Sequence, residues 1–220
     1  MSGYGQFCSI ARAHDALGGR WTLLIVRELL CGSRRFSDIR RGIPRISRTM
    51  LAERLQALDR LGAVRRSEGR RGPEYVLTPA GLELEPLVVA LGTWGQRWLP
   101  RHAAEEDVDV EPVFIDIQRR VRTENLPPEP VVVRFEVDGS RRRFLLLRRT
   151  EASFCAHNPG FPESLVVRSS RATLVGWWRG DLDLAGARRM GLSIEGPRAL
   201  VRSFPSWFAR YLLADVKARA

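Results

Sequence analysis

The fold of the N-terminal half is decided by residues 18–77, which read GGRWTLLIVRELLCGSRRFSDIRRGIPRISRTMLAERLQALDRLGAVRRSEGRRGPEYVL. Three segments with apolar residues at helical spacing come first, separated by short Gly, Ser and Pro breaks. Two strand-like segments follow, joined by an Arg/Gly-rich loop. This order predicts a helix-turn-helix with a basic hairpin behind it, a layout that places one helix in a DNA groove and the loop on the neighbouring backbone.

Capping and breaking residues set the expected ends of the three helices. The spacing predicts a buried helix over residues 20–31 and a shorter one over residues 36–41, which Gly42 stops. Ser47 is a natural N-cap for the third helix, and Gly62 ends it. The inward-facing stripe of this third helix is expected to consist of Met50, Leu51, Leu55, Leu58 and Leu61.

The hairpin is predicted from strands over residues 63–67 and 74–77, with a tip at residues 69–73. Residues 78–79 (Thr-Pro) then supply the N-cap and first-turn proline of a long helix that ends near residue 99.

A short helix over residues 8–17 precedes the central stretch, and the long helix after the hairpin has an apolar face. This face consists of Leu84, Leu87, Val88, Leu91, Trp94 and Trp98. It fits a dimer interface and fits an intramolecular core equally well, because periodicity does not distinguish the two.

The positive charge is concentrated in the predicted helix-turn-helix. The chain carries a net charge of +11, and residues 34–71 alone hold 12 arginines against 4 acidic residues, a net +8. A phosphate-binding surface requires such a local excess of positive charge. The strong preference for Arg over Lys runs along the whole chain and is typical of a GC-rich genome.

The third helix and its surroundings provide the candidate DNA contacts. Arg48 and Thr49, at the start of the helix, are expected to reach base edges, with Ser47 and Arg54 close by. Phosphate contacts are expected from Arg34, Arg35 and Arg45, and the hairpin-tip contacts to backbone or minor groove from Arg70 and Arg71. The alternative for any one arginine is a solvated surface position.

Three segments resemble the HxlR family of winged-helix transcriptional regulators, relatives of MarR. They are CSIARAHDALGGRWTLLIVREL, RRFSDIRRGIPRISRTMLAERLQALDRLG and EYVLTPAG, and the resemblance covers about residues 7–100. It implies a homodimeric repressor or activator, here expected to be a repressor, in which the first and last helices of the domain form the dimer contact. Double-stranded DNA with a pseudo-palindromic operator is then the expected partner.

Cys8 matches the N-terminal cysteine that redox-responsive members of this family use as a sensor. Arg12, one helical turn away, is expected to lower the pKa of the thiol and make it reactive. The alternative is that Cys8 packs as a small apolar residue. Cys31 is expected to be buried, and the odd count of 3 cysteines without metal spacing argues against a disulfide framework.

The second half predicts a different architecture. An acidic linker over residues 100–111 leads into a helix over residues 112–122, and four strands, two helices and a short strand follow before a terminal helix from about Arg198. The expected fold class is therefore α+β with two domains, residues 1–99 and 112–220, the first a winged helix-turn-helix and the second a sheet with packed helices.

Residues 112–208 resemble the sterol-carrier-protein-like domain through VVVRFEV, GDLDLAGA and IEGP in that order. The resemblance implies a pocket for a small apolar ligand, which Trp177, Trp178, Phe204 and Trp207 would line. The alternative is that these aromatic residues fill the core. A second hypothesis for the whole chain is a carrier of apolar ligands or lipids in which the helical half mainly dimerises.

The remaining patterns favour a non-enzymatic protein without a cofactor. His14, His102 and His157 lie in different segments without paired metal-ligand spacing, and no phosphate loop or nucleophile elbow is present in the sequence. No apolar run approaches the length of a membrane span, so a cytoplasmic location without membrane contact is expected.

Overall fold

The computed structural model describes residues 3–70, 72–99, 108–139 and 141–219. The chain forms two compact units, Met1–Gly95 and Gln96–Ala220. Arg71 and most of the predicted linker lie outside the described residues. Within the described ranges, none of the helices has the length and hydropathy needed to cross a membrane.

The first unit has the predicted order of helices followed by a hairpin. Its elements are α1 (Ser9–Leu17), α2 (Thr22–Leu30), α3 (Phe36–Gly42), α4 (Arg48–Arg60), β1 (Val64–Gly69), β2 (Gly72–Leu77) and α5 (Pro79–Leu82), and α6 (Glu85–Trp98) extends across its boundary. The α2, α3 and α4 segments therefore confirm the three predicted helices within one or two residues at each end.

The core of the first unit forms around α2 and the inward face of α4. Ile25 and Val26 are completely buried, and the α4 residues Leu51, Leu55 and Leu58 are at most 1% exposed. Leu61 is 49% exposed, so its place in the buried stripe was predicted wrongly. The reason is that α4 ends at Arg60, and the chain turns away after Leu61 through Gly62, whose φ is +77°.

The hairpin is tighter than the sequence predicts. Its antiparallel register runs from Val64 opposite Leu77 to Gly69 opposite Gly72, which leaves two positions between the strands instead of a five-residue tip. Gly72 has a φ of +104°, a conformation that favours glycine, and such a residue allows a short turn.

The long helix expected after the hairpin is interrupted. Thr78 caps α5 as predicted, since its hydroxyl oxygen accepts a 3.2 Å hydrogen bond from the Gly81 N–H. The helix then stops at Leu82 and restarts as α6. Pro86 explains the break, because it has no N–H to donate to the carbonyl of Leu82.

The second unit is a five-stranded sheet with helices. Its elements are α7 (Glu111–Arg119), β3 (Val131–Val137), β4 (Arg141–Arg148), β5 (Glu151–Cys155), β6 (Glu163–Ser169), α8 (Arg171–Arg179), α9 (Leu184–Arg189), β7 (Ser193–Glu195) and α10 (Arg198–Ser203). The strand order is β5-β4-β3-β6-β7, and only the β3–β6 pair is parallel. This arrangement confirms the α+β class.

The terminal helix of the second unit is shorter than expected. The α10 helix ends at Ser203 and is followed by a 3-10 turn, Phe204–Trp207. Pro205 explains the change, since it lacks the N–H that would continue the α-helical pattern to Val201.

The two faces of this sheet differ. Val133, Phe135 and Leu145 point into the main core, where Phe114 of α7 and Phe204 also pack. On the opposite face a smaller apolar cluster forms around Val132, Phe144 and Leu146, with Phe161 against it. Ion pairs cover the same face nearby, for example Arg134 Nε with Glu163 Oε2 at 2.7 Å and Arg168 Nε with Glu136 Oε2 at 2.6 Å.

Candidate DNA-binding surface

The first turn of α4 presents polar side chains to solvent. Ser47 is the N-cap, and its hydroxyl oxygen accepts a 3.1 Å hydrogen bond from the Met50 N–H. Arg48 and Thr49 are exposed. The structure therefore places these three residues together at the exposed start of the helix.

A backbone pairing joins the α2–α3 connection to the hairpin. The Arg34 carbonyl accepts a 2.7 Å hydrogen bond from the Tyr75 N–H of β2, and Arg35 forms a β-bridge with Glu74. The side chain of Arg35 also lies 3.9 Å from Glu74, measured from Nε to Oε1. Arg34 and Arg35, both predicted as phosphate contacts, are thereby held against the middle of β2.

The other predicted contacts lie at separate points on the surface. Arg45 is exposed in the connection between α3 and α4, and Arg70 is exposed at the end of the hairpin. Arg71 lies outside the described residues. Arg54 differs from the rest, because it is half-buried and its Nε atom is enclosed.

Further arginines that we did not select from the sequence extend the basic surface. Arg40 and Arg41 are exposed on α3, and Arg65 and Arg66 are exposed on β1. The signal that could have identified them is the count of 12 arginines within residues 34–71, which exceeds what the selected contacts use. Adjacent residues of a strand normally face opposite sides, so the exposure of both β1 arginines reflects a hairpin that is solvated on two faces.

Glu28 is a buried acidic residue at the centre of the helix-turn-helix, and the sequence pattern did not predict its burial. It is 2% exposed and accepts hydrogen bonds from Arg27 Nη2 at 2.7 Å and from Ser33 Oγ at 3.2 Å. Arg27 Nη2 also donates to the Gly42 carbonyl at 3.3 Å. A side chain on Gly42 would overlap the Glu28 carboxylate. These contacts fix the end of α3 against α2 and thereby the point from which the chain turns into α4.

Cys8 occupies the N-cap position of α1. Hydrogen bonds from the backbone N–H groups of Ala11, first, and Ile10 lower the pKa of its thiol. The cause therefore differs from the expected one, since the thiolate is stabilised by the amides of the first turn and not by Arg12. Redox sensing by Cys8 stays a prediction.

Cys31 is exposed, so its predicted burial is wrong. It is the C-cap residue of α2, and the chain leaves the helix directly after it through Gly32, whose φ is +88°. A residue at this point no longer follows the buried face of the helix.

The aromatic residues proposed to line a pocket lie together in the second unit. Phe204 and Trp207 are completely buried, Trp178 is 7% exposed and Trp177 is half-buried. Their rings contact one another, with centroid distances of 6.3 Å for Trp177–Phe204 and 5.6 Å for Phe204–Trp207. Such packing also fits the alternative of a filled core, and the ligand-binding role stays a prediction.

The two buried indole groups differ in their hydrogen bonding. Trp178 Nε1 donates a 2.7 Å hydrogen bond to Asp116 Oδ2. Trp207 Nε1 is buried and has no hydrogen-bond partner among the described residues. Buried donors in native proteins are nearly always paired, so this N–H group calls for an explanation.

The N-terminal part of the chain is similar to a known family of regulators. The family model described as HxlR-like helix-turn-helix matches residues 16–103. The Mycobacterium tuberculosis protein named uncharacterized HTH-type transcriptional regulator MT3179 is 36% identical over 135 residues, which cover 56% of this chain and 85% of the relative. The Bacillus subtilis HTH-type transcriptional regulator YvaP is 40% identical over 91 residues, covering 40% of this chain and 84% of the relative.

Solved structures of regulators are also similar to part of the chain. The reduced form of the transcriptional regulator YodB from B. subtilis is 34% identical, covers 41% of this chain and 93% of that chain, and has a TM-score of 0.37. The redox regulator HypR in its reduced form is 32% identical, covers 40% of this chain and 90% of that chain, and has a TM-score of 0.38.

The N-cap position of Cys8 predicts its alkylation behaviour. A lowered thiol pKa means that the thiolate is populated at lower pH, so in a variant carrying Cys31→Ser and Cys155→Ser the iodoacetamide reaction should reach half its maximal rate at a lower pH than N-acetylcysteine does. Because the donors are backbone amides, adding Arg12→Ala should leave this midpoint unchanged. A midpoint equal to that of N-acetylcysteine, or one raised by Arg12→Ala, would contradict the assignment.

Proposed function

The chain belongs to the HxlR-like helix-turn-helix family of transcriptional regulators, which are DNA-binding proteins and not enzymes, and from this premise we propose a more specific function. The protein is a homodimeric repressor that binds a pseudo-palindromic operator in double-stranded DNA. Each copy of α4 enters the major groove, and the β1–β2 hairpin contacts the adjacent backbone. Occupation of the operator blocks transcription of the neighbouring genes.

The observation that carries this proposal is the exposed polar first turn of α4. Ser47 closes the helix end, and Arg48 and Thr49 project from the same turn while Leu51 anchors the helix in the core. Recognition helices read base edges with the side chains near their N-terminus, and arginine is the commonest partner of guanine in the major groove. The α4 helix offers this combination.

The basic residues beside α4 support the backbone contacts. Arg34 and Arg35 are held against β2 by main-chain pairing, and Arg70 is exposed at the far end of the same hairpin. Phosphate contacts orient a protein on the duplex and release counterions, so they contribute affinity without sequence preference.

Two kinds of arginine variant should therefore behave differently in DNA titrations. Genomic fragments enriched with the protein define the operator, and fluorescence anisotropy then compares the operator with a scrambled duplex over a range of salt concentrations. Arg48→Ala should lower operator affinity by about 1–3 kcal/mol and leave scrambled-duplex binding nearly unchanged. Arg70→Ala combined with Arg71→Ala should weaken both duplexes and reduce the salt slope by about 4, because each of the two protomers loses two phosphate contacts.

Arg198→Ala is a matched control, because Arg198 is an exposed arginine of the second unit. It should bind both duplexes like the wild type. Wild-type operator affinity in Arg48→Ala would refute the assignment of the recognition helix. A wild-type protein that binds no duplex at low salt would refute the proposed function and favour the carrier hypothesis.

The apolar residues of α6 support the homodimer. Leu87, Leu91 and Trp94 are 47%, 53% and 54% exposed in the single chain. At the other end of the first unit, Phe7 and Ile10 are 98% and 79% exposed. Large exposed apolar side chains of this kind favour an interaction site, and a second copy of the chain would cover them.

A charged substitution on α6 tests the dimer. In sedimentation velocity the wild type should have the mass of two chains, whereas Leu91→Glu should have the mass of one, because a carboxylate in an apolar interface is desolvated without a partner. Leu212→Glu is the control, since Leu212 is 63% exposed and lies in the second unit. A monomeric wild type, or a Leu91→Glu protein of unchanged mass, would contradict the homodimer.

We further propose that the second unit, a sterol-carrier-like domain, binds a small apolar ligand that controls DNA binding. The supporting observation is the buried indole N–H of Trp207, which lacks an acceptor among the described residues. A ligand with an apolar body and one acceptor oxygen would satisfy this donor at the aromatic cluster formed by Trp177, Trp178, Phe204 and Trp207.

Trp207→Phe tests the ligand hypothesis, because it removes the indole donor and keeps a smaller aromatic ring at the same buried position. With cis-parinaric acid as the fluorescent probe, the wild type should show saturable binding and Trp207→Phe about tenfold weaker binding, the usual effect of one lost hydrogen bond. Trp94→Phe is the control. The hypothesis would be contradicted if cis-parinaric acid fluorescence does not saturate with the wild type. It would also be contradicted if Trp207→Phe binds the probe as tightly as the wild type.

A further inference from the structure

Arg54 is placed differently from the other arginines on the DNA-binding surface. It is half-buried, whereas Arg48 and Arg34 are exposed. Its Nε atom is buried and has no hydrogen-bond partner among the described residues. An arginine that serves only to attract phosphates gains nothing from such burial, because desolvation of a guanidinium nitrogen is costly.

The guanidinium of Arg54 lies against the backbone of Gly19. A Cβ atom at Gly19 would lie 2.9 Å from both Cζ and Nη1 of Arg54, closer than real Cβ contacts. Gly19 thus leaves the space that the guanidinium fills. A flat guanidinium packs well over bare backbone, which a lysine ammonium does not reproduce.

The loop that contains Gly19 has a defined backbone. The Gly19 carbonyl accepts a 3.0 Å hydrogen bond from the Thr22 N–H at the start of α2. Trp21 adopts a φ of +78°, which is rare for a residue other than glycine, and the Arg20 guanidinium lies 5.0 Å from the centroid of its ring. Thr22 itself is 3% exposed. The seat for Arg54 is therefore part of the rigid beginning of α2.

The position of Arg54 on α4 makes this contact relevant to DNA recognition. Arg54 follows Leu51 by three residues and precedes Leu58 by four, so it lies beside the buried stripe on the same side of the helix. The buried leucines anchor α4 in the core, and the guanidinium on Gly19 adds a contact at the edge of this stripe that limits rotation of α4 about its axis.

We propose that Arg54 is a positioning residue: its guanidinium, seated on Gly19, fixes the rotation of α4 so that Arg48 and Thr49 face the DNA. This proposal rests on the proposed function for its consequence in DNA binding. The contact between Arg54 and Gly19 is a property of the folded protein and can be tested without DNA. Arg54 then contributes to operator affinity without contacting a phosphate or a base.

A double-mutant cycle on stability tests the seat without DNA. Urea unfolding is measured for the wild type, Gly19→Ala, Arg54→Ala and the double variant. Gly19 does not have a positive φ, so alanine is allowed by the backbone there. Its Cβ would lie 2.9 Å from the Arg54 guanidinium and, less closely, 3.2 Å from Thr22 Oγ1. We expect Gly19→Ala to lower the urea midpoint in the wild-type background and to have a clearly smaller effect once Arg54 is alanine. If the two substitutions change the free energy of unfolding additively, the proposed contact between Arg54 and Gly19 is wrong.

Salt titrations with the operator separate positioning from phosphate contact. Arg54→Ala should lower operator affinity about tenfold while the slope of log K against log salt stays that of the wild type. Arg54→Lys should resemble Arg54→Ala, because the charge alone does not fill the seat. Arg34→Ala is the comparison, and it should reduce the slope by about 2, one contact in each protomer of the dimer. A slope reduced by about 2 in Arg54→Ala as well would show a phosphate contact and overturn the proposal.

The two experiments keep this inference separate from the proposed function. If the wild type binds no duplex, the function fails while the stability cycle still decides whether Arg54 and Gly19 are coupled. If the wild type binds its operator but the cycle is additive, the positioning role fails and the regulator remains.

Discussion

The helix-turn-helix depends on one buried carboxylate, that of Glu28. A carboxylate at 2% exposure is stable only if it is paired, and here Arg27 and Ser33 both donate to it. The same Arg27 guanidinium holds the last carbonyl of α3 at Gly42. The Arg27–Glu28 ion pair therefore holds together α2, the residue Ser33 that follows it and the end of α3. The direction in which the chain enters α4 follows from that arrangement. An apolar residue at position 28 could fill the volume but could not organise these donors.

The hairpin is attached to this centre by main-chain hydrogen bonds. Tyr75 donates to the Arg34 carbonyl, and the Thr78 hydroxyl donates to the Gly62 carbonyl at 2.6 Å. A side chain on Gly81 would overlap the carbonyl of Ala63, so α5 packs directly on the backbone at the end of α4. The α4 helix and the hairpin are consequently held in one rigid arrangement. Rigid support for surface arginines limits the conformational entropy that DNA binding has to remove.

Arginine has different roles in the two units. In the second unit Arg134, Arg143 and Arg168 pair with acidic residues on or beside the sheet. In the first unit the excess of arginine over acid is concentrated in residues 34–71 and much of it is exposed. Composition alone shows the excess, while burial shows which arginines remain available to an anionic partner and which, like Arg54, have a structural contact.

The sequence alone determined the order of the elements, the α2–α4 helices, the four long strands of the second unit, the Ser47 cap and the concentration of positive charge. These features depend on residues close together in the chain, through periodicity, capping and turn chemistry. The helix interruptions at Pro86 and Pro205 also have a local cause, because proline lacks the N–H group that continues a helix. The tertiary structure decided the burial of Glu28, the contact of Arg54 with Gly19 and the buried indole N–H of Trp207 that has no partner among the described residues. Each of these depends on which distant segments come into contact, and the alternation of apolar and polar residues along a helix does not encode that.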